Sequence, residues 1–200
     1  MSQWERFLDT FFKWDVIVQY LPAIGRGFVV TCELAVLVVI CGISLGLILA
    51  LIRSYQIKII NFFIICLVDI LRSLPPLVLI LLFYFGLPTV VLNLSGFMVV
   101  ILVLSFVLGA FAEEIFWAGI TSIHKGQWEA SRSTGLGYSQ TLVYVILPQA
   151  IRMTIPPLTN RTIAITKNTA LGMVVGVGEI LNQATIAQSF SSNASPLMMG

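Results

Sequence analysis

The chain reads as an all-α integral membrane protein, a multi-span helical bundle, and three observations predict it. Of its 200 residues, 58% are hydrophobic and 10% charged, with a mean hydropathy of +0.99. Soluble domains carry about 25% charged residues, so this chain cannot cover its own apolar surface with polar groups and stay dispersed in water. The apolar residues are also gathered into runs of the length needed to cross a hydrocarbon core of ~30 Å at ~1.5 Å per helical residue. Finally, most of the charges collect between those runs.

Residues 1–20 form an N-terminal interfacial segment, in which Trp4, Phe7, Phe11, Phe12 and Trp14 alternate with charges and suit the headgroup level. Phe28 to Ile52 carries one charge, Glu33, and makes the first span; Gly42 and Gly46 form a small-xxx-small pair that lets a second helix come close. Arg53 and Lys58 bracket a short turn before the second span, Ile59 to Phe85. Pro75 and Pro76 remove two amide donors there and force a kink or an unwound turn, which is tolerated at membrane depth only against protein or water. The uncharged loop Gly86 to Gly96 leads into a third span, Phe97 to Ile120. Thr121 to Gln149 is a long hydrophilic loop. Ala150 to Val177 makes a fourth, irregular crossing with Arg152, Arg161 and Lys167 around Pro156 and Pro157. Glu179 to Ser195 is polar, and 196–200 open a further apolar run.

Lys and Arg flank the first loop at Arg53 and Lys58 and the long loop at Lys125 and Arg132, and the loop between Gly86 and Gly96 has none. The positive-inside rule then places the first and third loops in the cytoplasm and the N-terminal segment outside. The net charge of +2 provides no field for nucleic acid. Cys32, Cys41 and Cys66 form no C-x-x-C pair and sit in apolar runs, so small core hydrophobes are expected rather than a zinc site or a disulfide framework. There is no G-x-x-x-x-G-K-[ST] loop and no G-x-S-x-G elbow, and His124 lacks a ligand companion at i+4. No catalytic residues and no metal site are expected, and any energy source lies in another polypeptide.

The long loop carries the most specific pattern. Glu129-Ala130-Ser131, three residues, Gly135, nine residues, then Val145-Ile146-Leu147-Pro148 closely resembles the E-A-A-x(3)-G-x(9)-I-x-L-P motif of the membrane subunits of ABC importers. Ser131 replaces the second Ala and Val145 the Ile, with the spacing intact. Leu71 to Leu77, with Arg72, Pro75 and Pro76, looks like the L/F-R-G-T-P-L-L run of the polar amino-acid branch of these permeases (histidine, glutamine, glutamate, arginine). Ile123 to Trp128 likewise resembles its I-P-K-G-Q-W. The resemblance covers roughly residues 20 to 190. It implies a type I ABC importer permease domain over 21–195 with a coupling loop at 121–149, and a fifth span beyond this chain, beginning near 196.

Local physics fits such a loop. Gln127 to Thr134 can form a short helix stopped by Gly135 in the left-handed conformation, and Gly137 allows a sharp turn into a second helix near Tyr138. Small Ala130 and Ser131 let a partner surface approach, and Glu129 offers it a carboxylate; Gly126, Leu147 and Pro148 complete the set. The plainer alternative is a solvated turn. In the family this knob sits in a cleft of the ATPase and transmits its closure to the membrane helices.

Asp69, Arg72, Glu113, Glu114, Arg161 and Lys167 form a second constellation. Each would cost ~2.5 to 3.5 kcal/mol facing lipid at mid-membrane, so they should face one another or a water-filled path. A zwitterionic amino acid needs a cation for its carboxylate and an anion for its ammonium. Asp69, Arg72 and Glu114, with Asn160, Lys167 and Thr169, are therefore expected along a substrate pathway; structural pairing of Asp69 with Arg72 and an interfacial Glu113 are the alternative.

The reading is thus a multi-pass permease subunit of a bacterial inner (plasma) membrane ABC importer for a polar amino acid. The resemblance implies two ABC ATPase subunits that bind the ATP and Mg, a second permease copy or paralogue, and an extracytoplasmic amino-acid-binding protein. No cofactor is expected in this chain, and membrane lipid but no nucleic acid is expected around it. A channel or gradient-driven transporter is the competing class, since it too would show broken helices and buried charges; an integral membrane enzyme is the third.

Overall fold

The computed structural model describes residues 3–4, 12, 14–89, 93–191 and 196. The described residues are organised as helices: α1 (Trp14–Ser54), α2 (Lys58–Ser73), α3 (Pro76–Leu81), α4 (Gly96–Ser122), α5 (Lys125–Ser133), α6 (Tyr138–Thr141), α7 (Leu147–Lys167) and α8 (Ile180–Ser191). Helices α1 and α4 are each long and apolar enough to cross a membrane, and there are four crossings if each of two broken pairs counts as one. The pairs are α2 with the Pro76–Gly86 stretch, and the Tyr138–Val175 stretch with α8.

Residues 14–20 of the expected N-terminal segment are the first turns of α1. Pro22 is accommodated inside it. Phe7 and Phe11 lie outside the described residues, as does the expected further span apart from Pro196. Between α2 and α3 the chain breaks at Leu74, which is extended (φ −91, ψ 136), because a residue before proline is pushed out of the helical region.

Two stretches of wide, π-type turn, Leu82–Gly86 and Leu142–Ile146, each precede a proline, Pro88 and Pro148. A proline removes one amide and crowds the carbonyl four residues back, and an inserted residue in the turn relieves both. Helix α7 runs through Pro156 and Pro157, more regular than the sequence suggests. Neighbouring hydroxyls bond back along it, Thr154 to the Ile151 carbonyl (2.9 Å) and Thr159 to that of Ile155 (2.8 Å). Its irregularity comes later, as 3-10 turns over Asn168–Val175 ended by Gly176 at φ +76.

The chain forms two compact units, Met1–Leu37 with Leu77–Val103 and Lys167–Gly200, and Val38–Pro76 with Leu104–Thr166. In the first, Gly27 packs directly on the start of α8, where an added Cβ would stand 2.9 Å from the Ile180 Cα. Thr31 Oγ1 donates to the Gly27 carbonyl (3.0 Å) and accepts from the Ile180 amide (3.1 Å). The buried Glu179 carboxylate accepts the Leu181 and Asn182 amides at 2.8 and 2.7 Å, filling the orphan donors of a helix N-terminus. The stretch 179–195, polar by composition, is thus a capped, docked helix as far as Ser191.

In the second unit α1 and α4 cross at the small residues foreseen. A Cβ on Gly46 would meet the Ala112 Cβ at 2.5 Å and the Gly109 carbonyl oxygen at 2.7 Å, and one on Gly42 would meet Leu108. Ala50, Ala112, Phe116, Ile120, Leu142, Ile146 and Ala150 form the core beside this crossing. Outward faces remain apolar, with Phe62 and Phe63 exposed on α2, as lipid requires. Cys32 and Cys41 are also exposed. They are not core residues, because α1 turns Leu34, Val38 and Ala50 inward instead.

Candidate functional site

The loop 121–149 folds as a knob of two short helices. Helix α5 starts at Lys125, two residues ahead of the sequence expectation, because His124 is its N-cap and accepts the Gly126 amide on Nδ1 at 3.1 Å. It ends before Gly135, whose φ of +94 a side chain rarely adopts. Gly137 is extended and donates its amide to Gln140 Oε1 at 2.9 Å, which starts α6. Glu129 and Ala130 are exposed on the outer face of α5.

Ser131 is not on that face. It is buried, and its hydroxyl lies 3.0 Å from the Trp128 carbonyl and 3.2 Å from Thr141 Oγ1. The small side chain lets α5 close on α6, not on a partner. Leu147 is half-buried at the start of α7, where Val145 and Leu147 pack on the core, and Pro148 is exposed.

Tyr138, which sequence reasoning used only as a helix start, joins the knob to the end of α1. Its ring stacks on Trp128 with centroids 5.2 Å apart and is tilted against Tyr55 at 5.6 Å. Its hydroxyl donates a hydrogen bond to the Ser54 carbonyl, and Tyr55 Oη lies 3.1 Å from Ser139 Oγ. Ser54 ends α1, so its carbonyl has no intrahelical donor, and the phenol fills that vacancy. A cavity of about 270 Å³ lies beside the joint, walled by Trp117, Ile120, Lys125 and Trp128.

The second constellation divides into two adjacent pairs. Glu113, fully buried, is bound by Arg53 Nη1 at 2.9 Å, and the guanidinium lies over the Trp117 ring at 4.7 Å. Glu113 therefore faces α1 rather than lipid or solvent. Arg53, read from sequence only as a loop-flanking charge, is its partner. Glu114, on the next turn position, is in direct contact with Arg72, which also lies 3.9 Å from Asp69. Arg72 thus has both carboxylates as neighbours, with Glu114 the nearer.

Arg72 and Arg161 share the Phe111 ring, at 5.1 and 3.2 Å from its centroid, a cation–π arrangement that spreads the two positive charges over an apolar face. Arg72 Nε is buried without a hydrogen-bond partner. Asn160 is exposed on α7 beside Arg161; Lys167, exposed, and Thr169, buried, belong to the other unit. Phe111 and Arg53 carried no recognisable signal, since an aromatic in a span and a basic residue after one are both commonplace. Among the described residues no group of three or more His, Cys, Asp or Glu could hold a metal ion.

Comparison with known proteins adds independent findings. The family described as binding-protein-dependent transport system inner membrane component matches residues 42–200. A probable glutamine ABC transporter permease protein of Bacillus subtilis (strain 168) is 34% identical over 177 residues, 88% of this chain and 81% of that protein. The L-cystine transport system permease protein of the same organism is 35% identical over 178 residues, 88% of this chain and 76% of that one. The glutamine transport system permease protein of Escherichia coli (strain K12) is 33% identical over 174 residues, covering 86% and 80%. Among solved structures, an amino acid ABC transporter crystallised with histidines superposes with a TM-score of 0.83 at 34% identity, over 92% of this chain and 86% of that one. A methionine ABC transporter in an inward-facing conformation shares the fold, with a TM-score of 0.66 at 21% identity, over 99% and 88%.

Proposed function

The chain belongs to the family of inner membrane components of binding-protein-dependent transport systems, and from that premise we propose that it forms the path by which an ABC importer takes a polar amino acid into the cytoplasm. It is a membrane-spanning transport subunit. Hydrolysis of ATP, with its Mg, belongs to a separate ATPase, two copies per complex, which the knob of α5 and α6 engages. A second permease, identical or paralogous, completes the pathway, and an extracytoplasmic binding protein delivers the substrate.

The observation that carries this reading is the knob itself. Two short helices set by His124, Gly135 and Gly137 present Glu129 and Ala130 outward on a rigid corner. A rigid corner is what a partner's closing cleft needs if its displacement is to reach the membrane helices undiminished. Ser131 closes the corner from within, and Gly126, Leu147 and Pro148 stand at its two ends.

The polar cluster supports the cargo class. Arg72 and Glu114 satisfy each other, yet the Nε donor of Arg72 is unused. An incoming zwitterion can exchange into that pair, its carboxylate taking the guanidinium and its ammonium the carboxylate, with no net change of charge at the site. Asp69 lies within reach of Arg72, and Asn160, in the same unit, is assigned to the same path.

The test is uptake of labelled polar amino acids by the complex reconstituted in vesicles with its ATPase and binding protein. Uptake should require ATP and be blocked by vanadate; uptake that follows an ion gradient without ATP would favour the gradient-driven transporter. Arg72→Ala and Glu114→Gln should each lower uptake by about tenfold, the loss that ~1.4 kcal/mol of interaction produces. Normal uptake by both, at normal membrane levels, would remove them from the path.

A further inference from the structure

We infer that Tyr138 is a positioning residue for coupling: its hydroxyl on the Ser54 carbonyl, continued by Arg53 on Glu113, carries the displacement of the knob to α1 and α4 together. The inference rests on the proposed engagement of the knob by an ATPase, and it names the joint through which that engagement acts.

The covalent chain ties the knob to only two membrane helices. It follows α4 after the linker Ile123–His124, and it runs on through the wide turn Leu142–Ile146 into α7. Helix α1 is a different case, because Ser54 is 84 residues from Tyr138 in sequence. Beyond the apolar packing of Ala50 and Leu51 in the shared core, what holds α1 to the knob is the Tyr138 hydroxyl, the Tyr55–Ser139 contact and the ring cluster of Tyr55, Trp128 and Tyr138. The end of α1 is itself tightly held. Ser54 Oγ donates to the Leu51 carbonyl at 2.6 Å, Asn61 Nδ2 donates to that of Arg53 at 3.1 Å, and Gln56 turns the chain with φ +56. A helix end so constrained moves as a body when its last carbonyl is pulled.

The next link is one residue away. Arg53 precedes Ser54, and its guanidinium is bound to the buried Glu113 of α4. Glu113 adjoins Glu114, which holds Arg72 of α2. A shift of Tyr138 is thereby felt at the pair assigned to the substrate path through three directional contacts, each made by a polar group with a defined partner. Packing alone would let surfaces slide; hydrogen bonds at a helix end and inside a buried ion pair do not.

The experiment uses the complete complex in vesicles and reads ATP hydrolysis and substrate uptake together. Tyr138→Phe keeps the ring cluster and deletes the hydroxyl. It should keep the ATPase bound and hydrolysing while substrate moved per ATP falls about fivefold or more; an unchanged ratio overturns the inference. Combined with Glu113→Gln, whose own loss acts on the same series, the fold losses should fall short of multiplying, and full multiplication overturns it. If Tyr138→Phe fails to reach the membrane, Tyr55→Phe, which removes the companion contact, should lower the ratio at least twofold, and an unchanged ratio again overturns it. Absence of an ATPase from the wild-type complex, or ATP-independent uptake, would instead remove the proposed function and leave this geometry without a role.

Discussion

Arg53 and Glu113 stand 60 residues apart in sequence and 2.9 Å apart in the structure, with the carboxylate fully buried. The pair fastens α1 to α4 where Gly46 has brought the two backbones close. Removing one partner of such a pair leaves the other charge stranded, which costs about 3–5 kcal/mol. Arg53→Ala should therefore lower the melting temperature of the purified protein sharply, while Arg53→Ala with Glu113→Gln should recover most of the loss. Thermal unfolding in detergent compares the two; equal melting temperatures for the single and double variants would show that the buried charge is not what was lost.

Gly46→Ala is expected to destabilise by about 1–3 kcal/mol, as overpacking does, because the added carbon would stand 2.5 Å from the Ala112 Cβ and 2.8 Å from the Glu113 amide. Gly25→Ala supplies the contrast. Nothing lies within 4 Å of its Cβ position, so it should be neutral or gain up to about 1 kcal/mol from helix propensity. The ranking of the two in the same unfolding assay checks the crossing.

Gln56 is the one described residue other than glycine with positive φ, at +56. A side chain in that conformation costs about 1–2 kcal/mol, and the position just past a helix end is where glycine is usually found. Gln56→Gly should stabilise the protein by about 1 kcal/mol. A lower melting temperature would mean that the Gln56 side chain makes a stabilising contact in the cavity it lines.

Glu179→Ala strips the N-terminus of α8 of both acceptors and should cost about 1 kcal/mol, the usual loss for a cap. Hydrogen exchange localises the effect: the Leu181 and Asn182 amides, which donate to that carboxylate at 2.8 and 2.7 Å, should lose protection first. Glu179→Gln, keeping one acceptor, should fall between the two.

Much of this architecture was legible as sequence because membrane solvent imposes simple rules. Run length gives the two long crossings, α1 and α4, the Gly42–Gly46 pair gives a helix contact, and Gly135 and Gly137 give the corners of the knob. The pairing of charges was not legible. Arg53 follows a span, where orientation alone accounts for a basic residue, and nothing in the neighbourhood of Glu113 in sequence points 60 residues back. Ser131 was misassigned to a partner-facing surface because small size fits either side of a short helix; only the placement of Thr141 decides it. Helix α8 was hidden by its polarity, since amphipathic and docked helices of this length are recognised by apolar spacing that its Gln, Asn and Ser residues blur.

Glu113 and Glu114 are neighbours in α4, yet one is held by α1 and the other by α2. Successive side chains leave a helix about 100° apart. A single anchor would leave rotation of α4 about its own axis to be resisted by apolar packing alone, which has no preferred direction along a smooth face. Two anchors at that angle fix its azimuth, so any roll that slackens one tightens the other, and α4 has two stops rather than a continuous dial.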